Sequence, residues 1–412
     1  MYFYKDILHV DLEMSSLCNL KCPVCNRRNG GGIKNTGYKE TYLSLERFKQ
    51  WFDESFVEQL YSMQMCGNYG DAMTNPELVS ILQYIKERNP TIGLTMNSNA
   101  SGRNSKFWSD LGVLFSDNKK SLLTFSVDGL EDTNHIYRRG THWSKIMNAM
   151  KSFISAGGQA AWEFLVFKHN QHQVEEARQM AKEMGFAHFY AKEPLGFVNR
   201  PMSEHGKNYN SWMRVFKDNG DLDYIIEPKD ETKSTSEIKL YLKETGFTKS
   251  DEDIDSLSIA KKFNDPNIFR KPPTEKAVIK KDRVLSDWEE KLGKTKIDCI
   301  VITPKSIFVG HDGLVFPCCF TASKYYGNPN SHEVSQLQDF INDYGPRNIS
   351  LEHNHLRDII DGDMFQSRWV DNFNDNDIRN KRLITCSLFC GKETNENYMN
   401  TRNSVQLDKN LI

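Results

Sequence analysis

The chain has 412 residues, 38% of them apolar, and sets 53 Lys and Arg against 55 Asp and Glu for a formal charge of −2. That length can bury one core of about 200 to 250 residues plus a smaller domain, and that balance leaves no long-range field to gather nucleic acid or an anionic membrane. No stretch approaches the ~18 uninterrupted apolar residues of a spanning helix, and Met1–Asp6 lacks the basic flank and apolar run of a secretion signal, so a cytoplasmic protein is expected.

From residue 7 to about 195, short β-branched runs alternate with helix-like segments, the pattern of repeated βα units on a parallel sheet. The predicted strands are Ile7–Leu12, Ser62–Cys66, Gly93–Asn97, Leu122–Val127, Ala161–Phe167 and Ala187–Ala191. Helices are expected over Ser44–Leu60, with Ser44 as N-cap, and Pro76–Arg88. Six units fall short of the eight that close a full barrel, so the expectation is an α/β fold built on a partial, open (β/α)6 barrel over residues 1–198. Residues 199–296 turn polar, as in Lys229–Ser236, and read as a partly helical connecting region, with a helix over Ser286–Leu292 and no assignable chemistry. From Ile297 strand-like runs return at Cys299–Ile302, Ser306–Val309 and Leu314–Phe316. The turn His311-Asp312-Gly313 joins the last two as a hairpin, opening a second domain over residues 297–412.

The nine cysteines form an odd set gathered toward the two ends of the chain, which points to metal ligation over disulfides. Cys18-x3-Cys22-x2-Cys25 directly follows the first strand, where a loop can wrap three sulfurs around one face of a cube-shaped cluster. Ordinary 4Fe-4S clusters take four thiolates, so three leave one iron for an outside ligand. A structural zinc would want a fourth Cys or His nearby, and the loop offers none.

At these residues the chain resembles the radical S-adenosylmethionine (SAM) superfamily. The resemblance implies a 4Fe-4S cluster on Cys18, Cys22 and Cys25 whose open iron binds SAM. One electron would then cleave SAM to a 5'-deoxyadenosyl radical that abstracts hydrogen from a substrate carbon. Gly67 and Gly70 with Asp71, after the second strand, match the family's glycine and acid motif for the SAM amino group. Asn97-Ser98-Asn99 stands where the family carries Thr-Asn-Gly. Ser126 and Asp128, at the fourth strand, would face the SAM ribose and methionine end; Arg138, in Arg138-Arg139-Gly140, would pair with its carboxylate as a guanidinium fork. Asn170, closing the fifth strand, is a ribose contact or a turn residue by position.

Cys299-x13-Gly313-x4-Cys318, followed by Cys386-x3-Cys390, supplies four more thiols and resembles the SPASM and twitch extensions that hold auxiliary clusters. One auxiliary 4Fe-4S cluster on Cys299, Cys318, Cys386 and Cys390 is implied, with Cys319 spare; a zinc hairpin is the rival. Cys66 borders the expected cavity, either as a hydrogen donor or as a small buried apolar residue. The resemblance favours peptide or protein modification. A small-molecule dehydrogenase acting on an aminocyclitol or sugar is the enzyme alternative, and an iron-sulfur or zinc scaffold the non-enzyme one. A reductant such as flavodoxin or ferredoxin is implied as partner.

Overall fold

The computed structural model describes residues 1–28, 30–35, 39–194, 213–229, 284–327, 332–392 and 394. Six strands run in chain order: β1 (His9–Leu12), β2 (Ser62–Met65), β3 (Gly93–Ser98), β4 (Leu122–Ser126), β5 (Ala160–Leu165) and β6 (His188–Lys192). Each pairs in parallel with the next, so the order is that of a barrel and not of a doubly wound sheet. The connecting helices are α1 (Leu45–Trp51), α2 (Glu54–Gln59), α3 (Leu78–Arg88), α4 (Ser105–Ser116), α5 (Asn134–Tyr137), α6 (Trp143–Ser155) and α7 (Val174–Met184). Among the described residues both ends of the sheet remain unjoined, leaving the barrel open.

Apolar residues alternate along the strands, as at Leu123 and Phe125, and meet the buried stripes of the helices. Trp108, Phe115, Phe125 and Phe153 lock α4 and α6 onto β4; Phe125 meets Phe153 edge to face at 5.6 Å, a favoured aromatic geometry. The single helix expected over Ser44–Leu60 is instead α1 and α2. The chain extends at Phe52 and Asp53, and the Asp53 carboxylate accepts from Tyr4 and His355 (3.1 and 3.2 Å). Ser44 caps α1 as expected, accepting from the Arg47 N–H.

Among the described residues the cysteine-bearing C-terminal segment does not build a separate sheet. Its hairpin, β9 (Ser306–Val309) with β10 (Val315–Phe316), joins the barrel sheet, because β9 runs parallel to β1 from His9↔Ser306 to Leu12↔Val309. The order is therefore β10-β9-β1-β2-β3-β4-β5-β6. Gly313, at φ +85°, supplies the left-handed turn residue that the motif predicts. Cys299–Ile302 is a turn and not a strand; the neighbouring backbone pairs elsewhere, with the Asp298 N–H donating to the Cys390 carbonyl at 2.7 Å. The expected helix at Ser286 is present over Asp287–Lys294, with Ser286 and Glu289 as a capping box.

Within the stretch read as a connector lies an antiparallel hairpin, β7 (Met213–Phe216) and β8 (Leu222–Ile226), which sequence reading missed. Residues 230–236, the most polar part, lie outside the described residues. Among the described residues no helix is long and apolar enough to cross a membrane.

Candidate functional site

β1 delivers the chain at Leu12 to a buried run, Glu13 to Ser16, and then to the cysteine loop. Arg27, only 4% exposed, folds that loop back on itself: Nε donates to the Ser16 carbonyl (3.0 Å), Nη1 to the Cys18 carbonyl (3.3 Å), and Nη2 pairs with Glu40 (2.9 Å). A turn from Cys22 to Cys25 (3.2 Å) sets the second pair of thiols, and the Leu20 N–H points at Cys18 Sγ (3.4 Å). Burial pushes the Cys18 thiol up to about 12, helped by the Asp71 carboxylate. Cys22 rises to about 11 for the same reason, against the pull of Arg138, and Cys25 is raised by burial. Each of Cys18 and Cys22 feels the charge of its neighbouring cysteines, so the three thiols share one locality.

Gly70 must be glycine, since a Cβ there would lie 2.0 Å from the Ser15 carbonyl oxygen. Asp71 beside it is a latch. Its carboxylate accepts from Ser98 Oγ (2.9 Å), the Asn99 N–H (2.8 Å), Asn99 Nδ2 (2.7 Å) and the Met73 N–H (3.1 Å), tying the loop after β2 to the end of β3. Asn99 Nδ2 also lies 3.7 Å from Cys18 Sγ. Gly67 and Asn97 are exposed, and Ser126 is half-buried at the end of β4.

Asp128 is wholly buried, with Oδ2 on Arg138 Nε (2.5 Å) and Oδ1 accepting from the Leu165 N–H (2.7 Å). Arg138 thus already holds a protein carboxylate while lying against Cys22, and the buried Asp128 carboxylate keeps its guanidinium firmly charged. Asn170 is wholly buried and joined to backbone: Nδ2 donates to the Asp128 and Leu165 carbonyls (both 2.9 Å) and Oδ1 accepts from the Phe167 N–H (2.7 Å).

The β7–β8 hairpin covers this loop. Phe216 N–H donates to the Gly30 carbonyl (2.8 Å), Arg139 reaches the Phe216 carbonyl (2.7 Å) and Asp223 (3.0 Å), and Asp218 pairs with Arg28 (3.2 Å) and Lys21. Tyr137, Phe167, Met213, Val215 and Ile226 make a small apolar cluster with Cys22 against it.

At the other pole, Cys299, Cys318, Cys386 and Cys390 line one small cavity, with Phe320 and Trp369 among its walls. Cys386 and Cys390 fall one turn apart on the helix Ile384–Cys390, which is how an x3 spacing puts two sulfurs on one face. Cys318 ends the hairpin, its sulfur 3.6 Å from Thr321 Oγ1; burial lifts its thiol to about 11. Cys299 and Cys390 share a hydrogen bond, which raises the thiol of Cys299 and favours the thiolate at Cys390. Cys319 lies outside this cavity, near the buried Cys66.

All nine cysteines are free of disulfides. Among the described residues no three His, Cys, Asp or Glu converge as the ligands of a single ion would. A cube of iron and sulfide spreads its thiolates over separate irons and needs no such convergence; both donor sets are thiols alone, the set such clusters take.

No family model matches the chain. It is 22% identical over 180 residues to the antilisterial bacteriocin subtilosin biosynthesis protein AlbA of Bacillus subtilis, a match covering 43% of this chain and only 37% of that protein. Among solved structures, SuiB of Streptococcus suis bound to S-adenosylmethionine matches at 12% identity and TM-score 0.42, over 76% of this chain and 60% of SuiB. The protein anSMEcpe with bound AdoMet and the Cp18Cys peptide matches at 13% identity and TM-score 0.49, over 97% and 95% of the two chains. The ordered run of six parallel strands and the cysteine loop leaving the first are the features by which this chain resembles the radical SAM superfamily.

Proposed function

We propose that this chain is a radical SAM enzyme that modifies a peptide or protein, with one 4Fe-4S cluster on Cys18, Cys22 and Cys25 and an auxiliary one on Cys299, Cys318, Cys386 and Cys390. The observation that carries this reading is the grouping of three thiols, with no fourth cysteine in their loop, at the end of β1, bordered by the Asp71–Asn99 latch and the Asp128–Arg138 pair. Held by Cys18, Cys22 and Cys25, the first cluster would supply the electron for reductive cleavage of SAM, the chemistry that leads to hydrogen abstraction from a substrate carbon.

The chain's own part is to group the thiols, exclude water and hold charges still. Arg138 at Cys22 and Arg27 at Cys25 favour the anionic sulfurs against the penalty of burial. Asp128 fixes Arg138, and the Asp128 position is itself fixed by the Leu165 N–H, so the cation keeps its place between strands. The β7–β8 hairpin closes the loop's outer side with apolar residues, the dryness that reactive carbon radicals demand. Gly67, Asn97 and Ser126 stand at the ends of β2, β3 and β4 as SAM contacts, with Asp71 and Asn170 shaping the turns beneath. The peptide reading draws support from the relative involved in bacteriocin biosynthesis.

Anaerobic reconstitution with iron and sulfide, followed by SAM and dithionite, tests the reading by mass spectrometry of 5'-deoxyadenosine. Wild type should form it and Cys22→Ala should fall at least a hundredfold. A fully clustered wild type that leaves SAM intact defeats the assignment.

A further inference from the structure

Arg382 is among the largest wholly buried side chains of the protein, 1% exposed. Among the described residues its acceptors are all neutral. Nε donates to Ser387 Oγ (2.8 Å), Nη1 to the carbonyls of Phe373 (2.7 Å) and Asp375 (3.2 Å), and Nη2 to the Thr295 carbonyl. The Asp375 carboxylate turns away, accepting from Asn380 (2.6 Å) and the Asp377 N–H (2.8 Å). A guanidinium taken out of water without a bonded anion is a costly arrangement, and four carbonyl or hydroxyl partners could be joined by a neutral side chain more cheaply. Through Ser387 its fork is anchored to the residue that follows Cys386, whose sulfur accepts from Asn372 Nδ2 (3.7 Å) inside the protein.

We propose that Arg382 is the buried counter-charge of the auxiliary cluster and sets its reduction potential, aided by the Asn372 hydrogen bond to Cys386; this rests on the reading that Cys299, Cys318, Cys386 and Cys390 hold that cluster. Four thiolates leave such a cluster net negative, and one electron adds a further negative charge. A fixed cation in a low-dielectric wall therefore stabilises the reduced form more than the oxidised one and raises the potential. An N–H pointing at a ligand sulfur acts in the same direction. The cluster in turn would supply the counter-ion that Arg382 lacks among the described residues.

The test uses the full chain with Cys18, Cys22 and Cys25 all changed to Ala, so that only the auxiliary cluster is observed. Iron and sulfide are counted, and a dithionite titration followed by electron paramagnetic resonance gives the midpoint. Arg382→Gln should shift it to a more negative potential. Arg382→Lys, which keeps the charge and loses the fork, should stay near wild type while melting lower. A staple without electrostatic influence would lower both melting temperatures and move neither potential, and that result overturns the proposal. Should Arg382→Gln not retain its cluster, Ser387→Asp sets a carboxylate at the acceptor of Nε and should produce the same negative shift; an unmoved midpoint there overturns it equally. A triple variant that takes up no iron overturns the auxiliary-cluster reading, and this proposal with it.

Discussion

Glu13 sits one residue past β1 and is wholly buried. Its Oε1 accepts from the Asn68 N–H at 2.9 Å, while Oε2 has no hydrogen-bond partner among the described residues. Burial lifts its carboxyl to about 8, with Asp11 adding a smaller push in the same direction. The folded protein therefore binds a proton here that the unfolded chain releases above its ordinary value of 4.5. Stability from this group is full below that value and declines as pH rises toward about 8. Glu13→Gln should remove the decline. The unfolding free energy of the variant minus that of wild type, measured anaerobically from pH 5 to 9, should grow up to about pH 8 and then level off at a difference on the order of a few kcal/mol. A difference flat across that range would mean the carboxyl is ionised in the fold. Sequence shows such residues poorly. The cysteines declare themselves by spacing, whereas Glu13, Asn99 and Arg382 are ordinary polar letters whose meaning lies in their burial and partners.

Elements were legible where period and length agreed. All six barrel strands lie within a residue or two of their expected ends, because β-branched runs between helical patterns leave few alternatives. The β7–β8 hairpin was not, since Met213–Phe216 and Leu222–Ile226 are short runs inside a charged stretch and their burial comes from Tyr137, Phe167 and Cys22, far away in sequence. That docking is tight at Gly30, where φ is +55° and a Cβ would stand 2.3 Å from the Phe216 ring. Gly30→Ala should destabilise by about 1–3 kcal/mol through strain and overpacking, and should let iron leave the first cluster faster on anaerobic gel filtration. Asp218→Asn, at a solvent-screened pair on the same hairpin, should be nearly silent in both measurements. Equal iron loss in the two variants would detach the hairpin's packing from the integrity of the loop.

At the scale of the whole molecule, β1 is an interior strand with β2 on one side and β9 on the other, each in parallel register along all four residues. The N-terminal residues are bound to the C-terminal segment as well: the Tyr4 N–H donates to Asp361 (2.7 Å), and Gln366 holds both the Met1 amine (3.2 Å) and the Tyr2 carbonyl (3.0 Å). One continuous apolar core includes Val10 and Leu12 together with Phe308, Val309, Leu337 and Trp369. A chain cut after residue 296 would leave the backbone groups of β1 unpaired along a new sheet edge and uncover that apolar wall, a template for aggregation. Residues 1–296 alone should therefore be insoluble or melt without a cooperative transition, while the intact chain should unfold in a single calorimetric step with the calorimetric and van't Hoff enthalpies in agreement. Two resolved transitions, or a soluble 1–296 fragment with a sharp melt, would show that the barrel owes nothing to the strand it borrows from the C-terminal segment.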